Sequence, residues 1–401
     1  MGRVGAVVLA VFALNGLVIG SWAARVPSLA DQIGAAPGSL GLSLLGGSLG
    51  LIAFGSVAGR ICVAIGARVA VLVSALACSA VLPVLGLVTS PFQLAMVFFG
   101  LGGASGVLDV SMNVAAVTVI RATGRALMPV FHAAFSFGAL GGSAGAAVAA
   151  AHDWGTLKHL GVVAAVSMVA VVAIARGVPV EQARHAEPAG RPDSARLARR
   201  PALWLLGTVA LCSAVAEGAS GEWSAYFGVH ERGLDEAAAA MIFSGFNVAM
   251  ALTRLLGERV QRRWGPARVL MAGSATAGAG LLIAVAVPTV AAAYLGFVLA
   301  GIGLAYTFPI ALDLAGAAGR REDGGGGERE IGAVTTVAYA GFLAGPPLVG
   351  GIAHLIGLDI AIGVVGLLVI GIGPLTVAAG SARRREERRG VPDTVESTRP
   401  G

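Results

Sequence analysis

The sequence predicts an all-α membrane protein in which twelve transmembrane helices form two parallel six-helix repeats. Its 401 residues are 56% hydrophobic and only 12% charged, with a mean hydropathy of +0.82. A soluble domain carries about 25% charged residues and cannot bury this much apolar surface. The apolar runs are long and unbroken, which favours helices over the alternating strands of a membrane barrel.

Taking about 20 apolar residues for each crossing gives twelve helices. The predicted spans are residues 4–24, 39–59, 69–89, 92–116, 128–151, 157–176, 202–229, 237–257, 267–287, 289–316, 331–356 and 357–380. Residues 177–201 form a polar linker between an N-terminal half (1–176) and a C-terminal half (202–380), and a basic tail (381–401) follows.

The basic residues support this list of spans. With the N-terminus inside, all but three of the 28 Lys and Arg residues fall on the side of the two termini, as the positive-inside rule requires. The exceptions are Arg25, Lys158 and Arg232. Both termini are therefore predicted to be cytoplasmic.

The two halves share a residue pattern. Arg60 and Gly66 correspond to Arg259 and Gly265, and both pairs are 199 positions apart. A parallel repeat of this kind is the construction in which one half rocks against the other during transport.

Other classes of function lack support in the sequence. The three cysteines, Cys62, Cys78 and Cys212, have no metal-site or disulfide spacing, and no enzyme signature is present, so no cofactor or metal is predicted. The net charge of +6 lies in short connections without interleaved aromatic residues, which does not indicate nucleic-acid binding.

The connection between the second and third helices resembles the cytoplasmic loop signature of the major facilitator superfamily. The matching residues are Gly55, Gly59, Arg60, Gly66 and Arg68. The resemblance implies a twelve-helix major facilitator fold, a monomer, and a latch formed by Gly55, Arg60, Gly66 and Arg68 at the inward ends of the halves. Gly59 stands where the signature usually has an acid.

Further motifs resemble a bacterial subgroup near the sugar and fucose permease branch. They are the segment 106–113, His132 with Phe135-Ser136, Glu217-Gly218-Ala219 with Glu222-Trp223-Ser224, and Gly341-Phe342-Leu343 with Gly345-Pro346-Pro347. Members often carry an acid where this chain has Ile120, so no role of that acid is transferred.

Ionisable residues inside a membrane are functional candidates because they are costly without a cavity or a partner. Glu217 lies about 15 residues into the seventh helix, near the midplane, and is the predicted proton-coupling carboxyl group. A hydrogen-bonded carboxyl that merely joins two helices is the alternative.

Asp109 and Asn113 are spaced i, i+4 and share one face of the fourth helix. His132 lies at a similar depth at the start of the fifth helix. Together these three residues are predicted to form a gate or proton exit. A static hydrogen-bond network between helices stays open as an alternative.

Three further residues are candidate substrate contacts. Asn15 and Asn247 lie near the midplane of the first and eighth helices, and the resemblance implies that the first helix lines the cavity. Trp22 can stack on a sugar-like ligand or belong to an interfacial aromatic belt.

The predicted function is secondary active transport of a small polar solute, coupled to protons as a symport, across the bacterial inner (cytoplasmic) membrane. Its predicted partners are the solute, protons and the lipid bilayer. An exporter of drugs or metabolites, and a non-transporting sensor or scaffold on the same fold, are the alternatives.

Overall fold

The computed structural model describes residues 2–124, 127–179, 200–319 and 328–390. Most of the predicted linker (180–199) and the end of the predicted tail (391–401) lie outside the described residues. Within them, twelve helices are long and apolar enough to cross a membrane, and we number these α1 to α12. The predicted all-α fold with twelve spans is confirmed.

The twelve helices are α1 (Arg3–Ala23), α2 (Pro37–Ile65), α3 (Ala67–Leu85), α4 (Pro91–Thr123), α5 (Val130–Ala151), α6 (Thr156–Gly177), α7 (Pro201–Arg232), α8 (Glu236–Leu255), α9 (Pro266–Ala286), α10 (Val290–Gly319), α11 (Glu330–Ile356) and α12 (Leu358–Glu386). Two short helices, Val26–Gln32 and Gly257–Trp264, lie in the connections after α1 and α8. We call the face at which α1 begins and α12 ends the terminal face. The other face, which holds residues 24–36, is the first-loop face.

Several helices extend beyond their predicted ends at the terminal face. α2 continues to Ile65 and α4 to Thr123, although their apolar runs were predicted to end at residues 59 and 116. A window of about 20 residues measures the lipid crossing, whereas a helix continues into water until its backbone pattern is broken. Glycines with positive φ supply that break at Gly66 (φ 83°) and Gly124 (φ 65°).

The same packing scheme occurs in both halves. α1 packs on α5, α2 on α4 and α3 on α6, and the equivalent C-terminal pairs are α7 with α11, α8 with α10 and α9 with α12. Gly66 and Gly265 are also conformationally equivalent, with φ of 83° and 78° at the start of α3 and α9. The predicted parallel repeat is therefore present in the structure.

Contacts between the halves are concentrated on two helix pairs, α2 with α11 and α5 with α8. In the first pair, a Cβ atom added at Gly41 would lie 2.5 Å from the Pro346 carbonyl oxygen, and one added at Gly350 would lie 2.5 Å from the Pro37 carbonyl oxygen. Only glycine allows this crossing, because any side chain would overlap the opposing backbone. The crossing lies at the first-loop end of both helices.

Candidate functional site

Glu217 forms an ion pair with Arg254, which lies near the terminal end of α8. The Nη2 atom of Arg254 is 3.2 Å from Oε1 of Glu217, and the two side chains are 42% and 27% exposed. Both residues belong to the C-terminal half. Charged groups with this exposure inside a spanning bundle indicate contact with a water-accessible opening, since lipid would not stabilise them.

Arg254 also contacts a break in α10. The helical segment Val290–Leu304 ends there and a second segment begins at Thr307. Nε of Arg254 donates a hydrogen bond of 3.2 Å to the carbonyl oxygen of Ala305, inside the break. Non-helical backbone within a membrane is tolerated where it is buried in protein or lines a cavity, because its free carbonyl groups need partners.

Asp109 and Asn113 contact each other on α4, as their spacing predicts. Nδ2 of Asn113 is 2.8 Å from the backbone oxygen and 3.4 Å from Oδ1 of Asp109. The Asp109 side chain is exposed and that of Asn113 is partly buried. Among the described residues, no hydrogen bond or ion pair joins this pair to His132, so the predicted three-residue cluster is divided in this conformation.

His132 is exposed on α5, and its ring makes an edge contact with Phe12 at 5.4 Å between centroids. It lies within electrostatic range of Arg254 in the other half. His132 is therefore an exposed titratable group of the N-terminal half near Arg254 of the C-terminal half.

Asn15 is 4% exposed on α1, and its Nδ2 atom contacts the sulfur of Met112 at 3.6 Å. Its Oδ1 atom is buried and has no hydrogen-bond partner among the described residues. Asn247 is partly buried, and its amide donates to the Phe243 carbonyl oxygen of its own helix at 2.9 Å. Asn15 therefore has a buried acceptor that no described residue uses.

Trp22 packs at the first-loop end of the bundle. Its ring makes an edge contact with Phe98 at 4.9 Å, and it borders a small apolar cluster that joins α1 and α5 to α8. This cluster includes Ala146, Ala147 and Phe243. Trp22 thus contributes to the seal between the halves.

The four latch residues lie at the terminal ends of α2 and α3 in the N-terminal half. Gly55 and Arg60 lie within α2, and Arg60 is exposed; Gly66 ends the helix. The Arg68 guanidinium donates to the Ala175 carbonyl oxygen at 2.9 and 3.2 Å and so caps the end of α6. None of these residues forms a hydrogen bond or ion pair with the C-terminal half within the described ranges.

Glu222, which belongs to the Glu222-Trp223-Ser224 motif, was not among the predicted site residues. Its Oε2 atom is buried in α7 and lacks a hydrogen-bond partner among the described residues, as do the polar atoms of Ser220, Trp223 and Ser224. Trp223 is also fully buried. Two acids within two turns of one helix, Glu217 and Glu222, were the available sequence signal.

Polar contacts seal the first-loop face. The Arg25 guanidinium is 4% exposed and bridges the halves, with Nη1 2.8 Å from Oε2 of Glu236 and Nη2 2.5 Å from the Trp154 carbonyl oxygen. Burial lowers the pKa of Arg25 and the Glu236 carboxylate opposes that shift. In the sequence, Arg25 stands out only as one of three exceptions to the positive-inside rule.

Two further inter-half contacts lie on the same side. Nε2 of His230 is 3.6 Å from Oδ1 of Asp31, and the hydroxyl groups of Ser143 and Ser244 are 2.6 Å apart. Among the described residues, the hydrogen bonds and ion pairs between the halves lie at this face or at mid-depth, where Ser48 Oγ donates to the Phe342 carbonyl oxygen. The described molecule is thus closed at the first-loop face.

Comparisons with known proteins agree with this architecture. The family model of the Major Facilitator Superfamily matches residues 7–325 and 226–399. An uncharacterized MFS-type transporter of Yersinia pestis is 34% identical over 373 residues, which cover 92% of this chain and 93% of that protein. The membrane protein MosC of Rhizobium meliloti is 28% identical over 393 residues, which cover 95% and 90%.

Solved structures share the fold at low identity. A mutant of the nucleoside transporter NupG superposes with a TM-score of 0.76 at 15% identity, covering 94% of this chain and 99% of that one. A mutant of the E. coli fucose:proton symporter FucP gives a TM-score of 0.62 at 16% identity, with coverages of 94% and 98%. A bacterial homologue of the lysosomal transporter Spinster gives 0.73 at 12% identity, with coverages of 96% and 97%.

Proposed function

The chain belongs to the major facilitator superfamily of membrane transporters, and from this premise we propose that it moves a small polar solute by proton-coupled alternating access. The solute enters the opening at the terminal face, between the halves. The first-loop face opens when the halves rock. By the distribution of basic residues, the terminal face is the cytoplasmic one and the membrane is the bacterial inner membrane.

The Glu217–Arg254 pair is the observation that carries the proposal. A partly exposed salt bridge adds little stability, because water screens the attraction between its charges. The pair also lies within electrostatic range of His132 of the other half. Protonation of Glu217 removes its attraction for Arg254, so the pair offers two states that differ by one proton.

The N-terminal half supplies polar groups opposite the pair. Asp109 with Asn113, and His132, are proposed to gate the terminal side and to pass the proton. Asn15 is proposed to contact the solute through its unpaired Oδ1 atom, and Trp22 to close over it at the seal. Asn247 is proposed as a further solute contact on α8.

The latch residues are proposed to engage when the terminal face closes. Arg60 is exposed at the terminal end of α2, and Arg68 is held by the end of α6. In the inward-open form that we infer here, Arg60 is available for the C-terminal half. The resemblance supports action as a monomer.

The solute class is proposed from polarity and by analogy. NupG is a nucleoside transporter and FucP is a fucose:proton symporter. Both handle small polar solutes on the same fold, which supports a similar class for this chain without naming the compound. One charge moved across a membrane potential of about 100 mV supplies about 2.3 kcal/mol, so a single coupled proton can drive substantial accumulation.

A paired experiment tests the function. The purified protein is screened by thermal shift against sugars, sugar acids, amino acids and nucleosides at pH 6 and pH 8, since a ligand of the folded state raises the melting temperature. Compounds that bind are then tested in proteoliposomes for solute uptake driven by an imposed pH gradient. We expect pH-dependent binding and pH-driven uptake.

Glu217→Gln is compared with Glu231→Gln, a glutamate at the first-loop end of the same helix. The first variant should bind solute at both pH values and lose pH-driven uptake, while the second should transport normally. Pharmacologically active, bulky compounds that bind in place of polar solutes would favour a drug exporter. Binding without any uptake or exchange would favour a sensor or scaffold.

A further inference from the structure

A pocket of about 420 Å³ lies beside the Glu217–Arg254 pair. Seven residues from α8, the short helix Gly257–Trp264 and α10 line it: Arg254, Gln261, Arg262, Ala305, Tyr306, Pro309 and Asp313. Its rim is exposed at Arg254, Arg262 and Asp313, whereas Tyr306 is only 8% exposed. The pocket therefore runs from the terminal face into the break of α10.

The lining has donors for a negatively charged group. Four of the lining residues carry hydrogen-bond donors: Arg254, Arg262, Gln261 and Tyr306. The Tyr306 hydroxyl is buried and has no hydrogen-bond partner among the described residues. An unsatisfied buried hydroxyl is costly, and a bound acceptor would relieve that cost. Guanidinium groups match the planar geometry of carboxylate and phosphate oxygens.

The charges around the pocket depend on Glu217. Ionised Glu217 pairs with Arg254, which lines the pocket. When Glu217 carries a proton, Arg254 loses this competing partner. An anionic group in the pocket can then take the place of the Glu217 carboxylate beside Arg254.

We propose that this pocket binds a carboxylate or phosphate group of the transported solute, and that the anion takes Arg254 from Glu217 as Glu217 accepts a proton. The inference rests on the proposed function and narrows its solute class to small organic anions. A hydronium ion in the opening supplies the proton: one of its O–H bonds breaks, leaving water, as an O–H bond forms on Glu217. The Arg254–Glu217 ion pair is replaced by an ion pair between Arg254 and the anion.

Proton and anion binding are then linked, and linkage is reciprocal. The anion binds more tightly at low pH, with at most about a tenfold change in affinity for each pH unit when one proton is taken up. Among the residues whose side chains are described, the other charged or titratable groups near Arg254 are His132 from α5, Arg262 from the short helix, and Tyr306 and Asp313 from α10.

Binding to the full-length protein in neutral-lipid nanodiscs tests the inference. The probes are D-galacturonate, its uncharged analogue D-galactose, and inorganic phosphate, titrated calorimetrically at pH 6 and pH 8. We expect at least one of the anions to bind, more tightly at pH 6, and D-galactose to bind at least tenfold more weakly than D-galacturonate. Equal binding of the two sugars, or binding of neither anion, would overturn the proposal.

Variants locate the site. Arg254→Gln and Tyr306→Phe should weaken anion binding, Arg262→Gln should weaken it more than Arg263→Gln, and Asp313→Asn should strengthen it. Arg263 is the matched control because it is exposed on the same short helix but does not line the pocket. Equal effects of Arg262→Gln and Arg263→Gln would show a diffuse charge effect and contradict a defined site.

Two further variants test whether anion binding is linked to protonation of Glu217. Glu217→Gln should bind the anion at pH 8 at least as tightly as the natural protein does at pH 6, with its pH dependence lost. His132→Asn should keep the pH dependence. If the pH dependence is lost in His132→Asn and kept in Glu217→Gln, the proposed exchange at Arg254 is wrong.

Two outcomes separate this inference from the proposed function. Uptake of an uncharged solute driven by a pH gradient, without anion binding, would overturn the anion pocket and leave proton-coupled transport intact. Protection against heat by phosphatidylglycerol nanodiscs, with no effect of soluble anions, would assign the pocket to a lipid headgroup and overturn its role in solute binding.

Discussion

The two faces of the bundle are held together in different ways. At the first-loop face, Arg25–Glu236 and His230–Asp31 join the two halves. At the terminal face, the Arg200 guanidinium contacts Glu330, Glu386 and the Ala318 carbonyl oxygen, all within the C-terminal half. The first-loop face must therefore break contacts to open, whereas the described polar contacts of the terminal face remain intact whether the halves are apart or together.

Two arginines, Arg25 and Arg232, have similar burial but different partners. Arg25 and Arg232 are each 4% exposed, each has an unpartnered buried Nε atom, and each pairs with a partly exposed acid. Arg25 pairs with Glu236 of the other half, while Arg232 pairs with Asp359 of its own half at 3.0 Å. Separation of the halves would therefore break the Arg25–Glu236 pair but leave the Arg232–Asp359 pair intact.

The largest expected effect comes from removing the acids of these pairs. Glu236→Gln leaves the Arg25 charge buried and uncompensated in the closed state, which costs up to about 3–5 kcal/mol. Opening of the first-loop face exposes Arg25 to water, so we expect Glu236→Gln to shift the population toward the open conformation.

Asp359→Asn leaves Arg232 buried without its acid in both conformations, so it should lower the melting temperature instead. Labelling of cysteines introduced at the first-loop face, together with thermal unfolding, separates the two results; equal labelling of both variants would contradict the account.

The second effect concerns the glycine crossing of α2 and α11. Gly41→Ala places a Cβ atom 2.5 Å from the Pro346 carbonyl oxygen in the other half. Relieving such an overlap costs about 1–3 kcal/mol and should prevent full closure. Gly47→Ala is the matched control on the same helix, because its added Cβ atom would lie 3.8 Å from the Phe98 carbonyl oxygen, an ordinary van der Waals distance. Solute uptake should fall about tenfold in the first variant and stay unchanged in the second.

The smallest effect is expected at the Ser143–Ser244 hydrogen bond, which joins α5 to α8. Interhelical hydrogen bonds in membranes contribute about 0.6 kcal/mol on average. A double-mutant cycle of Ser143→Ala and Ser244→Ala, measured on the same labelling assay, should therefore give a coupling energy near that value. A coupling energy of zero would mean that the two hydroxyl groups do not interact in the closed state.

The sequence predicted most of the fold because lipid imposes strong rules on it. Hydropathy locates the spans, and the repeated Arg60-Gly66 and Arg259-Gly265 pattern indicates the parallel halves. The spacing of Asp109 and Asn113 predicted their contact, since i, i+4 residues lie on one face of a helix. These are local or periodic features, which a sequence expresses directly.

The partners of charged residues were harder to predict because they depend on helix neighbours. Glu217 was predicted as an isolated carboxyl group, yet Arg254 reaches it from α8, 37 positions away. Arg254 lies within the predicted eighth span (237–257), and Arg25 lies in the connection between the first and second spans, so neither position indicates a partner. Both arginines have long side chains that reach back to the bundle, and hydropathy windows do not record that reach.

The most direct test of alternating access is a distance measurement across the terminal face. Spin labels at Val130 and Leu255, both exposed at the terminal ends of α5 and α8, report the separation of the halves. The account predicts that a bound solute shortens this distance while labels at the first-loop face move apart. A distance that stays unchanged with solute and with pH would contradict alternating access and favour a non-transporting role.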